Sequence, residues 1–303
     1  MQILVVLLGI SFLTFLLTEL APGDPAQIML VSSGVMPTPS QVAALREQMG
    51  FNDPFLVRYL HWLAGMFHGD FGMSYSLHKP VADLLLSRFW PTMKLALLSL
   101  FFMMIVSIPL GVASAVRKNT WVDFIVRGLT FFGVSLPNFW VGLLLMLAFC
   151  IHIRLFPAIC SGGDFASLVL PAVTLAIAMA SKYTRQVRTT ILDELNQDYV
   201  VGARARGVSE HRILWHHVFP NALLPLVTML GLSLGSLLGG TAVVEVIFTY
   251  PGLGNLAVAA ITSSDYNLIQ GYVIWIAFIY MVINLLVDIS YTYIDPRLRL
   301  SKR

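Results

Sequence analysis

Residues 182–220 read KYTRQVRTTILDELNQDYVVGARARGVSEHRILWHHVFP, the longest polar and basic interruption after the first hundred residues. Strongly apolar runs lie on both sides of it, so its placement decides how the chain is arranged about a membrane. Gly207 supplies the left-handed conformation that ends a helix, which predicts a helix over Gln197–Arg206. A second helix starts after Ser209, a candidate N-cap. Arg212 rather than Glu at the third position leaves its capping box incomplete. The small residues Ala203, Ala205 and Gly207 would let another protein approach the backbone, with Arg204 and Arg206 beside them as charge partners.

The flanking runs set the class. Of 303 residues, 57% are apolar and 12% charged, against roughly 25% charged in an ordinary soluble domain. That composition predicts an integral membrane protein. The two cysteines, Cys150 and Cys160, form neither a disulfide framework nor a zinc-ligand set. No G-x-x-x-x-G-K-[ST] phosphate loop occurs, so any ATP chemistry that drives this chain sits on another polypeptide.

A spanning helix needs about 20 mainly apolar residues. Six stretches meet that need, giving an all-α polytopic protein: Ile3–Leu20, Thr92–Val116, Val122–Ile151, Leu168–Arg188, Ala222–Val246 and Ile269–Tyr291. The first lacks a basic leader, and Thr18-Glu19-Leu20-Ala21-Pro22 is a poor cleavage site, so it reads as a retained helix. The loops 117–127 and 182–220 together with the tail 292–303 hold 13 of the 19 lysines and arginines. Positive charge favours the inner side. Both termini and the 182–220 loop are therefore expected in the cytoplasm.

Residues 21–91 form the one long polar segment on the opposite side. Ala21-Pro22-Gly23-Asp24-Pro25 is a turn cluster. Ser40 is the expected N-cap of a short helix through Met49 that Gly50 stops. Val57–Phe67 places Tyr59, Leu60, Leu63 and Phe67 at helical spacing, which predicts a helix lying in the membrane interface.

Ala203-Arg204-Ala205-Arg206-Gly207 followed by Pro220 resembles the cytoplasmic loop of binding-protein-dependent ABC importer permeases. That family carries Glu-Ala-Ala, three residues, Gly, nine residues, Ile-x-Leu-Pro. Val201, Gly202, His217 and Phe219 depart from the pattern. The departures resemble the family's peptide and nickel branch, which favours Ala-Arg-Ala-x-Gly. Further matches run along the chain: residues 21–25, 69–74 (Gly-Asp-Phe-Gly-Met-Ser) and 132–140 (Phe-Gly-Val-Ser-Leu-Pro-Asn-Phe-Trp). Others are Leu170-Pro171-Ala172, Glu245-Val246-Ile247-Phe248, Pro251-Gly252-Leu253-Gly254, Asp288 and Asp295-Pro296-Arg297-Leu298-Arg299.

The resemblance implies a type I importer permease fold in a bacterial or archaeal cytoplasmic membrane. Residues 1–91 would be a first helix plus a long extracytoplasmic segment, 92–293 the transport core, and 294–303 a cytoplasmic tail. Relatives usually carry basic residues ahead of the first helix, and whether the start lies upstream of Met1 is not decided by this sequence. The implied partners are a homologous second permease subunit, two ABC ATPase subunits, an extracytoplasmic substrate-binding protein and membrane lipid, with no nucleic acid and no cofactor. Tyr199, Ala203, Arg204, Ala205, Arg206, Gly207 and Pro220 would dock the ATPase, and the 199–217 helices would act as rigid levers. Glu245, Asn138, Pro137 and Asp24 would line the substrate path or gate. The short 157–168 linker and residues 137–140 look more like nickel permeases than oligopeptide ones. Nickel or a nickel chelate is the expected substrate, with dipeptides or oligopeptides as the alternative.

Other features have competing readings. Glu245, at the edge of an apolar run, faces a cavity or partner, or else caps the following turn or pairs with an interface residue. Lys94 snorkels. Gly231-Leu232-Ser233-Leu234-Gly235 fits a nucleophile pattern, yet Ser233 falls mid-helix and Gly231, Gly235 and Gly239 suit a helix-packing face better. His211, His216 and His217 suit contact with a partner protein. His61, His68 and His78, among Met66 and Met73, offer only transient metal ligands. A stand-alone secondary transporter would need intramembrane ionisable relays and repeated broken helices, whereas the central runs are nearly free of charge and show no internal repeat.

Overall fold

The computed structural model describes residues 2–32, 34, 36–160 and 164–294. The expected motif at Asp295–Arg299 and most of the tail lie outside them. Among the described residues there is no strand, and one isolated bridge joins Met73 to Pro80. The helices are α1 (Gln2–Glu19), α2 (Pro25–Ser32), α3 (Pro39–Gln48), α4 (Phe55–Phe67), α5 (Val81–Val116), α6 (Trp121–Ser135) and α7 (Asn138–Met146). They continue with α8 (Phe165–Leu195), α9 (Asp198–Ala205), α10 (Glu210–Ile213), α11 (Phe219–Gly240), α12 (Ala242–Ile247), α13 (Leu253–Thr262) and α14 (Tyr266–Ile294). π-helical turns follow α7 and α10.

Four helical stretches are long and apolar enough to cross a membrane: Val81–Val116, Phe165–Leu195, Glu210–Gly240 and Tyr266–Ser290. A fifth is α6 with α7, bent by 97° at Leu136-Pro137. Pro137 has no N–H to give and holds Leu136 in extended backbone. The expected Val122–Ile151 span is thus fully broken there. Helix α1 is apolar but shorter, at 18 residues.

Two compact units divide the chain. The first comprises Met1–Thr92 and Pro251–Met281. Here Val81, Leu84 and Leu85 of α5 pack with Leu253, Leu256 and Ala260 of α13 and Leu268 of α14. This burial explains why α5 starts at Val81 rather than at Thr92 and runs through Pro91. Thr92 Oγ1 then accepts the Leu253 N–H at 2.7 Å, satisfying the first turn of α13. Phe12 and Phe15 of α1 meet Phe55 and Tyr59 of α4 edge-on, and Tyr59 shares a 2.9 Å hydrogen bond with Ser11. The cap of α3 is Thr38, not Ser40: Thr38 and Gln41 form a complete capping box with Pro39 in the first turn. Gly50 follows at φ +68°, as its place after the helix requires.

Asp265 fixes the start of α14 in this unit. It is fully buried and accepts the Leu268 N–H as an N-cap. Its other oxygen takes Ser74 Oγ (2.5 Å), Ser76 N (3.0 Å) and Ser76 Oγ (2.8 Å). Beside it, burial and then the Asp265 charge push the Tyr75 hydroxyl above its ordinary range, leaving it a donor to Asn267 Oδ1.

The second unit comprises Met93–Tyr250 and Val282–Arg303. α8 continues to Leu195, seven residues beyond the expected end, burying Val187, Thr190 and Ile191 on one stripe. The expected Ala222–Val246 span is interrupted at Thr241, where α11 ends after Gly239-Gly240 and the short α12 begins. Gly231 lies against α14 so closely that a Cβ there would come within 1.9 Å of Val287 Cγ2. Gly239, expected on the same packing face, has open space instead.

Candidate functional site

The 182–220 segment is built on the end of α8. After Leu195 the chain turns at Asn196 and Gln197 and enters α9. Val200 and Ala203, three apart and therefore on one face, are 0% and 1% exposed. The opposite face exposes Val201 and Ala205. Ala203 thus packs inside its own chain and does not offer the small outward surface that its size suggested. Ala205, Arg206 and Gly207 remain exposed.

Gly207 ends α9 at φ +77°. Its N–H donates to Arg204 O (2.9 Å), and the Val208 N–H donates to Ala203 O (3.2 Å). This is the helix stop expected from the sequence, with the orphan carbonyls satisfied by the two residues past the end. α10 starts at Glu210 after Ser209, whose side chain makes no cap. Ile213 and Val218 then anchor the return to α11, both 0% exposed.

Two polar contacts brace α9. Arg204 Nε donates to Glu210 Oε1 at 2.6 Å, and its Nη2 donates to Oε2 at 3.1 Å. Arg204, expected as a partner for another protein, therefore holds α9 against α10. The Tyr199 hydroxyl donates to Glu194 Oε2 at 2.6 Å. Burial first, and then the Glu194 carboxylate, raise its pKa, so it stays protonated. The rim of α9–α10, with Val116, Leu195, His211 and Leu214, encloses a cleft of about 310 Å³.

Beneath this, α8 is tied to its neighbours by a buried carboxylate. Asp123 of α6 is 0% exposed and receives Arg188 Nε (2.7 Å), Arg188 Nη2 (2.9 Å), Ser114 Oγ (2.6 Å) and Asn119 N (3.0 Å). One side chain thus joins α5, the α5–α6 turn, α6 and α8. The Tyr183 hydroxyl donates to Leu226 O, tying α8 to α11. Sequence reasoning missed Asp123 and Arg188. A signal was present: Asp123 is the only acidic residue between Asp83 and Asp164, and a lone carboxylate among apolar residues needs a partner.

The remaining expected site residues are dispersed. Pro137 and Asn138 are exposed at the α6–α7 break. Asp24 caps α2 through the Ala26 N–H (3.0 Å) and pairs with Arg46 at 2.9 Å. Glu245 is fully buried in α12 and accepts Thr241 Oγ1 at 2.9 Å. Pro220 is exposed in the first turn of α11. Ser233 lies mid-helix in α11, without the tight turn a nucleophile requires. Among the described residues, no three of His, Cys, Asp and Glu converge as a metal site.

An all-helical unit with a long, bent and basic-flanked set of apolar helices has a counterpart among known families. Residues 107–300 match the binding-protein-dependent transport system inner membrane component, and residues 1–96 match the N-terminal part of membrane components of such systems. The chain belongs to this family. This permease is 40% identical over 97% of its length, and 95% of the relative's, to the oligopeptide transport system permease protein AppB of Bacillus subtilis (strain 168). It is 38% identical to the glutathione transport system permease protein GsiC of Salmonella choleraesuis (strain SC-B67), over 97% of this chain and 94% of that one. Its fold is similar to an inward-facing structure of the MetNI methionine ABC transporter, with TM-score 0.59, 19% identity, and coverage of 70% of this chain and 96% of that one. The permease is therefore a multi-pass inner membrane component of a transport system, and a transport subunit, not an enzyme.

Proposed function

We propose that this permease is one of the membrane subunits through which an ATP-driven importer moves dipeptides or oligopeptides into the cell. The observation that carries the substrate is the end-to-end similarity to permeases named for oligopeptide and glutathione transport. Glutathione is itself a tripeptide. The nickel reading leaned on the short 157–168 linker and on residues 137–140, and neither relative is named for nickel. Peptide replaces nickel as the substrate.

In this reading α1, α5, the bent α6–α7 pair, α8, α10–α11 and α14 are six spans with both termini cytoplasmic, as the lysine and arginine distribution favours. Residues 1–91 supply the first span and an extracytoplasmic segment, 92–293 the transport core, and 294–303 the tail. A second, homologous permease completes the path, two ATPases bind the 182–220 segment, and an extracytoplasmic binding protein delivers substrate.

α9 is the docking helix, with Tyr199, Ala205, Arg206, Gly207 and Pro220 toward the ATPase. Ala203 and Arg204 hold it in place from within. The rigid brackets at Asp123 and Tyr183 let movement of α9 pass into α8 as a body rather than dissipate in the loop. Pro137 and Asn138 at the helix break lie along the substrate path, where freed backbone groups are tolerated. Glu245 shapes that path from a buried position, whereas Asp24 is engaged with Arg46 in the extracytoplasmic segment. The test is uptake of a labelled dipeptide and of labelled nickel by the complete transporter in proteoliposomes. ATP-dependent peptide uptake is expected, and uptake of nickel alone would overturn the reading.

A further inference from the structure

In the first unit, two confluent clefts of about 370 and 240 Å³ share Thr18, Glu19, Pro25, Phe51 and Arg58. Their walls carry both signs of charge. Glu19 meets Arg58 at 2.7 Å, and Asp24 meets Arg46 at 2.9 Å. Each pair uses one nitrogen and one oxygen. A guanidinium has five N–H donors, yet among the described residues Arg58, 18% exposed at its side chain, gives one hydrogen bond, to Glu19 Oε1. It also stands over the Phe51 ring, 5.5 Å away, and acts electrostatically on Tyr75. Among the described residues, the Trp62 indole Nε1, buried beside the smaller cleft, has no hydrogen-bond partner. Buried donors in folded proteins are paired in the great majority of cases, so this recess holds more donor capacity than the chain uses.

The charges restrict what fits. A bare metal cation meets Arg46 and Arg58, and a simple anion meets Glu19, Asp24 and Asp53. A molecule with separated positive and negative ends satisfies both sets, and the Phe15, Phe51 and Trp62 rings offer an apolar wall to what lies between them. We propose that this recess binds a short peptide by its free ends, with the α-carboxylate on Arg58 and Arg46 and the α-ammonium on Glu19. It is a holding site in the extracytoplasmic segment, separate from the path through the core. This rests on the peptide reading above.

The test uses the full chain in lipid nanodiscs, followed by tryptophan fluorescence. Trialanine is titrated against N-acetyl-trialanine amide, which has the same body and neither charge. A saturable change with trialanine, and binding of the blocked peptide weaker by about tenfold or more, is expected for the loss of charge-assisted hydrogen bonds. Because both titrations use the unaltered chain, the comparison does not depend on any variant folding. Arg46→Gln, at the more exposed of the two arginines, is expected to weaken trialanine binding by several-fold. Equal binding of the two peptides overturns the proposal. Trialanine uptake by the complete transporter is measured alongside: uptake without binding overturns the recess alone, and absence of both overturns the peptide reading as well.

Discussion

Arg188 of α8 donates from Nε and Nη2 to the two oxygens of Asp123 in α6, at 2.7 and 2.9 Å, with the carboxylate wholly enclosed. Ser114 and Asn119 complete the shell. Removing one partner from such a pair strands a buried charge, which costs about 3–5 kcal/mol, whereas replacing both with apolar groups is often near neutral. Arg188→Leu is therefore expected to lower the thermal midpoint of the solubilised protein strongly. Arg188→Leu combined with Asp123→Leu should recover most of the loss. Additive losses in that double-mutant cycle would show that the pair does not act as a unit.

Gly207 tests the stop of α9. At φ +77° a side chain costs roughly 1–2 kcal/mol, so Gly207→Ala is expected to destabilise by about that amount. Gly207→Asn should lose less, since Asn visits this conformation more readily. The Cβ itself has open space, so the effect is conformational and not a clash. Equal melting midpoints for Ala and Asn variants would refute this.

The opposite case is Gly231. Its conformation is ordinary, but a Cβ would collide with Val287. Overpacking of this kind costs about 1–3 kcal/mol. Gly231→Ala should lower the melting midpoint, and adding Val287→Ala should restore part of it. No rescue would mean that the α11–α14 approach is looser than described.

The Arg204–Glu210 pair separates stability from coupling. Its side chains are 43% and 66% exposed, and exposed pairs contribute between nothing and about 1 kcal/mol. Glu210→Gln should leave the midpoint almost unchanged. Under the docking proposal it should still reduce peptide-stimulated ATPase activity, because α9 loses its brace against α10. A large stability loss with normal coupling would place the pair in folding alone.

Much of this was readable beforehand, for identifiable reasons. The apolar runs are long enough to be unambiguous, and Gly207 announces a helix stop because few other residues tolerate its backbone. Tertiary effects were harder to read. The apolar run alone starts the span at Thr92, but Val81, Leu84 and Leu85 have a core to enter, and their burial extends α5 back through Pro91. Ser40 and Thr38 are both plausible caps, and only Gln41 reaching back to the Thr38 N–H selects between them. The size of Ala203 suggests an outward contact, whereas its phase on α9 with Val200 turns it inward. Asp123 and Arg188 are 65 residues apart, and no local pattern connects them.

The most direct measurement of the central claim is ATP-dependent uptake of a radiolabelled dipeptide by proteoliposomes holding the complete transporter and its binding protein. Accumulation is expected to require ATP and to fall when Gly207→Glu blocks ATPase docking at α9. Accumulation by this chain alone, driven by an ion gradient and indifferent to Gly207→Glu, would contradict it.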